Sequence, residues 1–173
     1  HMLTDFKGKV PSNKKVACAI GVTGDYQERF KKLYETGCRI FCLDVANGAN
    51  KQVEEAIKWI QFHPCHDNEQ IYLICGNIAT KEGYTYLANL RVDAIRVGIA
   101  GGQPCTTKNE TGVYMPMVSS ILECVEEKRK TAVRYADGFN IMHRDWQVKF
   151  EEKFNKLPLI IADGGIRTPA DMC

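Results

Sequence analysis

Arg39-Ile-Phe-Cys-Leu-Asp-Val-Ala-Asn-Gly48 decides the fold. The run from Ile40 to Leu43 is apolar at every position, so it has no polar face to offer water. A strand of this kind needs cover on both sides, which is the condition of a parallel strand between layers of helices. The apolar character stops at Asp44, and Asn47-Gly48 marks a turn. The next segment, Lys51 to Phe62, places Val53, Ala56, Ile57 and Ile60 at helical spacing and predicts an amphipathic helix.

Moving outward, the same cycle recurs. Val16 to Val22 predicts a strand, followed by a helix from Asp25 to Thr36 with Asp25 as cap and Gly37 as stop. Gln70 to Ile78 predicts another strand, then a helix from Thr80 as N-cap, with Glu82 in its first turn, to Leu90. Ala94 to Ala100 is a fourth strand. It leads into the polar loop Gly101-Gly-Gln-Pro-Cys-Thr-Thr-Lys-Asn-Glu-Thr-Gly112 and a helix from Pro116 to Lys128. Leu157 to Asp163 is a fifth strand, and Thr168-Pro169 opens a helix. The strands end alike, in Asp44 with Asn47-Gly48, Gly76-Asn77, Gly98 with Gly101-Gly102, and Asp163-Gly164-Gly165.

This alternation predicts an α/β fold with parallel strands, right-handed crossovers and a ligand site at the strands' carboxyl ends. Gly21-Val-Thr-Gly24 lacks the glycine fingerprint of a doubly wound dinucleotide-binding sheet. The prediction is therefore a TIM (β/α)8 barrel. Such a barrel takes eight strands and about 200–250 residues, and these residues supply only five strand segments. The chain is expected to be a fragment, or to complete its barrel with further residues. Residues 1–15 read as an N-terminal segment with the tag-like remnant His1-Met2, and residues 16–173 as a partial barrel catalytic domain.

Composition narrows the function. The 173 residues are 45% hydrophobic and 25% charged, ordinary globular material. The net charge of +2, from 23 basic and 21 acidic residues, gives no field suited to nucleic acid or an acidic membrane. No apolar run approaches the ~18 residues that span a bilayer, and no signal peptide is seen, so a cytoplasmic location is expected. The eight cysteines have no CxxC spacing and lie mostly in apolar patterns, so they read as reduced, buried thiols and no structural metal is expected.

Several of these motifs occur in register with one known family. Arg39 to Gly48, Cys75-Gly-Asn-Ile-Ala-Thr80, Val97-Gly-Ile-Ala-Gly-Gly-Gln-Pro-Cys-Thr-Thr107, Thr111-Gly-Val113 and Ile161-Ala-Asp-Gly-Gly-Ile166 resemble the IMP dehydrogenase and GMP reductase family of TIM barrels. Leu43-Asp-Val-Ala-Asn-Gly48 and Leu122-Glu-Cys124 look like the reductase branch. The resemblance implies NADPH-dependent reductive deamination of GMP to IMP and ammonia. The alternatives are IMP oxidation with NAD, and a catalytically silent purine-nucleotide-binding module. A purine mononucleotide is the expected partner, and a homotetramer the implied assembly.

The resemblance also distributes roles. Cys105, in a loop of backbone amides at a strand's carboxyl end, is the expected nucleophile, a task that suits a thiolate; its alternative is a loop thiol without a role. Thr107 is the proton-transfer residue; its alternative is a hydroxyl bond to its own loop. Asp44, Val45, Ala46, Ile99 and Ala100 are placed at the cofactor. Asp163, Gly164, Gly165 and Asn77 are placed at the substrate, with Asp163 accepting ribose hydroxyls. Each polar residue here has a local alternative: Asp44 bonding the Asn47 turn, Asp163 capping the next turn, Asn77 forming a turn, and the glycines supplying positive φ. Ala100, Gly102 and Cys105 through their carbonyls, with Lys108 nearby, resemble a monovalent cation site for potassium. The chain departs from the family at Gln103, where a serine is usual, at Pro104 and Ala100, and in a longer link from Lys128 to Lys156 that reads as a solvated charged face. Arg134-Tyr135 has the residue types of the dehydrogenase flap but precedes the Asp163 strand, and so reads as coincidence.

Overall fold

The computed structural model describes residues 16–63, 70–99, 115–136 and 144–164. Five strands, β1 (Ala17–Ile20), β2 (Ile40–Asp44), β3 (Tyr72–Ile78), β4 (Ala94–Val97) and β5 (Leu159–Ala162), pair in sequence order, each parallel to the next. A doubly wound sheet would reverse its strand order at a switch point. The order here runs in one direction throughout, as along the wall of a barrel.

Helices α1 (Tyr26–Glu35), α2 (Lys51–Gln61), α3 (Lys81–Asn89), α4 (Met117–Ala136) and α5 (Arg144–Lys156) fill the crossovers. Strand alternation sends Phe41, Leu43, Leu73, Cys75, Ile95 and Val97 to one face, and all are buried. They form one core with Phe30 of α1, with Val53, Ala56, Ile57 and Ile60 of α2, and with Tyr84 and Leu87 of α3. Phe30 packs its ring 4.5 Å from that of Phe41 and 5.7 Å from that of Trp59. Burying side chains of this size contributes about 1.5–3 kcal/mol each.

The opposite, concave face carries Cys42, Asp44, Ile74, Gly76, Ala94, Arg96, Leu159 and Ile161, and among the described residues it is partly open to solvent, most of all at Asp44 and along β5. Leu159 is 63% exposed and Ile161 37%. Apolar residues on that face are what the inside of a barrel requires. Of the five described cysteines, all free, Cys75 and Cys124 are buried as expected. Cys18, on the edge strand, Cys38, just before β2, and Cys42, on the concave face, are only half-buried.

Local signals hold unequally. Asn50 and Thr80 cap α2 and α3, their side chains accepting from Val53 N and Gly83 N. Asp25 stands at the N-cap of α1 but makes no capping bond; its carboxylate pairs with Arg29 at 3.6 Å instead. The fourth strand stops at Val97 rather than Ala100, because Gly98 leaves the extended region at φ +140°. The helix expected to end at Lys128 continues to Ala136. Lys128 itself is buried, with its ammonium 4.3 Å from the Phe154 ring of α5. A lysine stem buries readily when its head finds an aromatic face. The solvated-face expectation therefore fails at Lys128, while Lys130 and Lys156 keep exposed pairs with Glu126 and Glu152.

Candidate active site

At the carboxyl end of the concave face, register aligns Asp44 of β2, Gly76 of β3, Arg96 of β4 and Ile161 of β5 in one row. Gly76 matters for what it lacks. A Cβ there would lie 2.6 Å from the Arg96 Cβ and 2.8 Å from the Arg96 carbonyl oxygen. Its absence opens a lane across β3, and the Arg96 side chain runs over it from β4 to β2.

Arg96 thereby joins two carboxylates. Its Nη1 donates to Asp44 Oδ1 at 2.9 Å and toward Cys42 Sγ at 3.5 Å. Its Nη2 and Nε donate to Asp163 Oδ2 at 2.5 and 3.1 Å. Asn77 completes the set, its Nδ2 donating to the same Asp163 oxygen at 2.7 Å and to the Gly98 carbonyl at 2.6 Å. Gly98 makes room for this convergence, since a Cβ there would meet the Asp163 carbonyl oxygen at 2.4 Å.

One cation between two carboxylates leaves the cluster net negative. Burial pushes the Asp163 carboxyl up, but the hydrogen bonds from Asn77 and Arg96 and the Arg96 charge outweigh it and hold the group below its ordinary value. Burial likewise pushes Arg96 down, and its bonds to Asp163 and Cys42 with the two carboxylate charges more than reverse this. Each carboxylate spends one oxygen on the protein. Asp44 Oδ2 and Asp163 Oδ1 accept no hydrogen bond among the described residues, and the Asp44 side chain is 53% exposed. Two half-used carboxylates facing an open concave surface are acceptors for hydroxyl groups of a ligand.

Among the expected site residues, Asp44, Asn77 and Asp163 are thus brought together. Asp44 pairs with Arg96 while Asn47 Oδ1 accepts from Ala49 N, so the Asp44–Asn47 turn bond is not formed; the turn that Asp163 would cap lies outside the described residues. Val45 is locked to β3, donating its N–H to the Gly76 carbonyl and accepting from Asn77 N, and Ala46 beside it is exposed. Gly164 has φ +96°, the positive value foreseen as its alternative, with open space among the described residues where a Cβ would lie. Ile99 is buried in a small cluster with Ala79 and Met115, so its side chain serves packing. Ala100, Gly102, Cys105, Thr107, Lys108 and Gly165 lie outside the described residues. Arg134 sits on α4, paired with Glu127. Among the described residues no His, Cys, Asp or Glu group of three or more is placed to hold a metal, and no helix is long and apolar enough to cross a membrane.

Sequence reasoning missed Arg96. The signal was present, since Ala94-Ile-Arg-Val97 carries one charge inside a run that must be covered on both faces, and such a charge needs partners.

Comparison with known proteins gives the architecture its context. The IMP dehydrogenase / GMP reductase domain matches residues 7–147. Inosine-5'-monophosphate dehydrogenase from Staphylococcus saprophyticus is 37% identical over 115 residues, 66% of this chain and 23% of that protein. The Staphylococcus aureus enzyme is 36% identical over the same length. Among solved structures, a GMP reductase variant from Trypanosoma brucei superposes with a TM-score of 0.68 at 25% identity, covering 89% of this chain and 28% of that one. The inosine 5'-monophosphate dehydrogenase of Legionella pneumophila superposes with a TM-score of 0.66 at 28% identity, covering 92% and 39%. The chain spans about a quarter of the length of the curated relatives it matches. With its five parallel strands in barrel order and this match over most of its length, the chain belongs to the IMP dehydrogenase / GMP reductase domain family, a family of oxidoreductases of purine nucleotide metabolism.

Proposed function

We propose that the protein is a GMP reductase-like, cytoplasmic oxidoreductase converting GMP, NADPH and protons to IMP, NADP and ammonium, assembled as a homotetramer. The observation that carries this reading is the pair of carboxylates, Asp44 and Asp163, held by Arg96 at the carboxyl ends of β2 and β5, each with one oxygen that accepts no hydrogen bond among the described residues. Asp163 accepts the ribose hydroxyls of the purine nucleotide, with Asn77 and Arg96 keeping it ionised. Asp44, with Val45 and Ala46 beside it, accepts the ribose hydroxyls of the nicotinamide nucleotide, and the half-exposed carboxylate suits that donor set.

In the chemistry that follows, the Cys105 thiolate adds to C2 of GMP and ammonia leaves, protonated with help from Thr107, so that a thioimidate joins sulfur to C2. Held at Asp44, Val45 and Ala46, a nicotinamide nucleotide would supply a hydride for C2, and Cys105 returns to thiolate as the C–S bond breaks. Electrons balance as one hydride gained by the purine. Ala100, Gly102, Cys105 and Lys108 are the proposed surroundings of a potassium ion, and no step depends on it.

A second reading has its own support, because the relatives at 36–37% identity are IMP dehydrogenases. The two are separated by one assay on the full-length protein. GMP with NADPH is expected to give loss of the reduced-nicotinamide absorbance with stoichiometric ammonia, and IMP with NAD little reaction. The reverse pattern assigns the dehydrogenase, and no reaction with either pair refutes both. Iodoacetamide at neutral pH is expected to label Cys105 first, with protection by IMP.

A further inference from the structure

We propose that Arg96 is a positioning residue that couples the two ligand sites, so that nucleotide bound at Asp163 favours nicotinamide nucleotide at Asp44, and the reverse. The inference rests on the reading of those carboxylates as ribose acceptors, and goes beyond it by assigning the link between them. Three features carry it. First, both carboxylates share one cation, since Arg96 is the sole ion-pair partner of either among the described residues. Second, the guanidinium is a rigid planar fork, so its Nη1 bond to Asp44 and its Nη2 and Nε bonds to Asp163 cannot be set independently. Third, the two ends are held unequally. Asp163 has two donors, Asn77 and Arg96, whereas Asp44 is half-exposed and has Arg96 as its one partner among the described residues.

A nucleotide whose hydroxyls occupy the free oxygen of Asp163 immobilises that carboxylate, and with it the fork. The fork then presents Asp44 already oriented, and the second ligand no longer bears the ordering cost that the first has met. The Gly76 lane makes the arrangement possible, because any side chain at that position would block the passage of Arg96 across β3.

The test is calorimetric titration of the full chain with IMP, alone and with saturating NADPH, a pair that exchanges no hydride under either functional reading. NADPH is expected to tighten IMP about 5-fold or more, within the usual range for coupled sites, and IMP to tighten NADPH by the same factor. In Arg96→Gln the factor is expected to fall to about 1, even where each ligand still binds. In Arg96→Lys, whose single ammonium reaches one carboxylate at a time, affinity for one ligand is expected to recover while the factor stays near that of Arg96→Gln. Urea unfolding shows which variants are folded, and if Arg96→Gln is not, the wild-type factor and Arg96→Lys decide. Independent binding in the wild type overturns the coupling and leaves the functional reading standing. A variant that weakens both ligands yet keeps the wild-type factor assigns Arg96 a purely structural role and overturns the coupling too. Binding of neither ligand to the wild type overturns both.

Discussion

Replacing Gly98 by alanine strikes the point where β4 and β5 meet the candidate site. Gly98 has φ +140°, and a Cβ built there lies 2.4 Å from the Asp163 carbonyl oxygen, a backbone atom that cannot swing aside. Backbone strain of this kind costs about 1–3 kcal/mol, and forcing an extra carbon into a packed position costs about 1–3 kcal/mol more. The sum, roughly 2–6 kcal/mol, lowers the urea midpoint by about 1–3 M for a slope of about 2 kcal/mol/M. Gly37→Ala is the control, because Gly37 has φ +96° but open space around its would-be Cβ, and so bears only the strain of about 1–3 kcal/mol. Circular dichroism during urea titration measures both variants. Equal midpoints for the two would refute the argument that close approach to Asp163, rather than φ alone, makes Gly98 necessary.

The core and caps give further tests. Ile57→Ala, at a fully buried position of α2, is expected to lose about 2–5 kcal/mol, whereas Phe62→Ala, 83% exposed, changes stability by about 0.5 kcal/mol or less; urea unfolding checks both. Asn50→Ala removes the bond from Val53 N and costs about 0.5–2 kcal/mol, while Asp25→Ala, which has no capping bond to lose and only an exposed pair with Arg29, costs about 0–1 kcal/mol. Because the folded carboxyl of Asp163 lies below its ordinary value of 3.8, its contribution is fully present above that value and is lost as pH falls through the lower folded pKa. The stability difference between wild type and Asp163→Asn is therefore constant near neutral pH and shrinks below pH 3.8, as unfolding curves at a series of pH values would show.

The barrel-like order was legible because the strands, from Ile40-Phe-Cys-Leu43 to Leu159–Ala162, are mostly apolar on both faces, and β1 to β4 are each followed by a helix of matching periodicity. Asp44, Asn77 and Asp163 were legible for the same reason, as polar interruptions at the ends of apolar runs. Arg96 escaped notice because its role depends on register. Only when Gly76 is seen opposite it does a charge inside a strand become a bridge between neighbours on either side. The two helical surprises have a similar cause. Asp25 has the residue type of a cap but pairs with Arg29, and Lys128 has the type of a surface residue but finds Phe154, two outcomes that composition and spacing do not distinguish.

The most direct test of the central claim, that Asp163 and Asp44 present their free oxygens to two ribose units, is a crystal structure of the protein with IMP and NADPH bound. The ribose hydroxyls of IMP are expected within hydrogen-bond distance of Asp163 Oδ1 and those of the nicotinamide ribose within reach of Asp44 Oδ2, with Arg96 still bridging the two carboxylates. Nucleotide seated away from the carboxyl ends of β2 to β5, with Asp44 and Asp163 contacting only Arg96 and Asn77, would contradict the account.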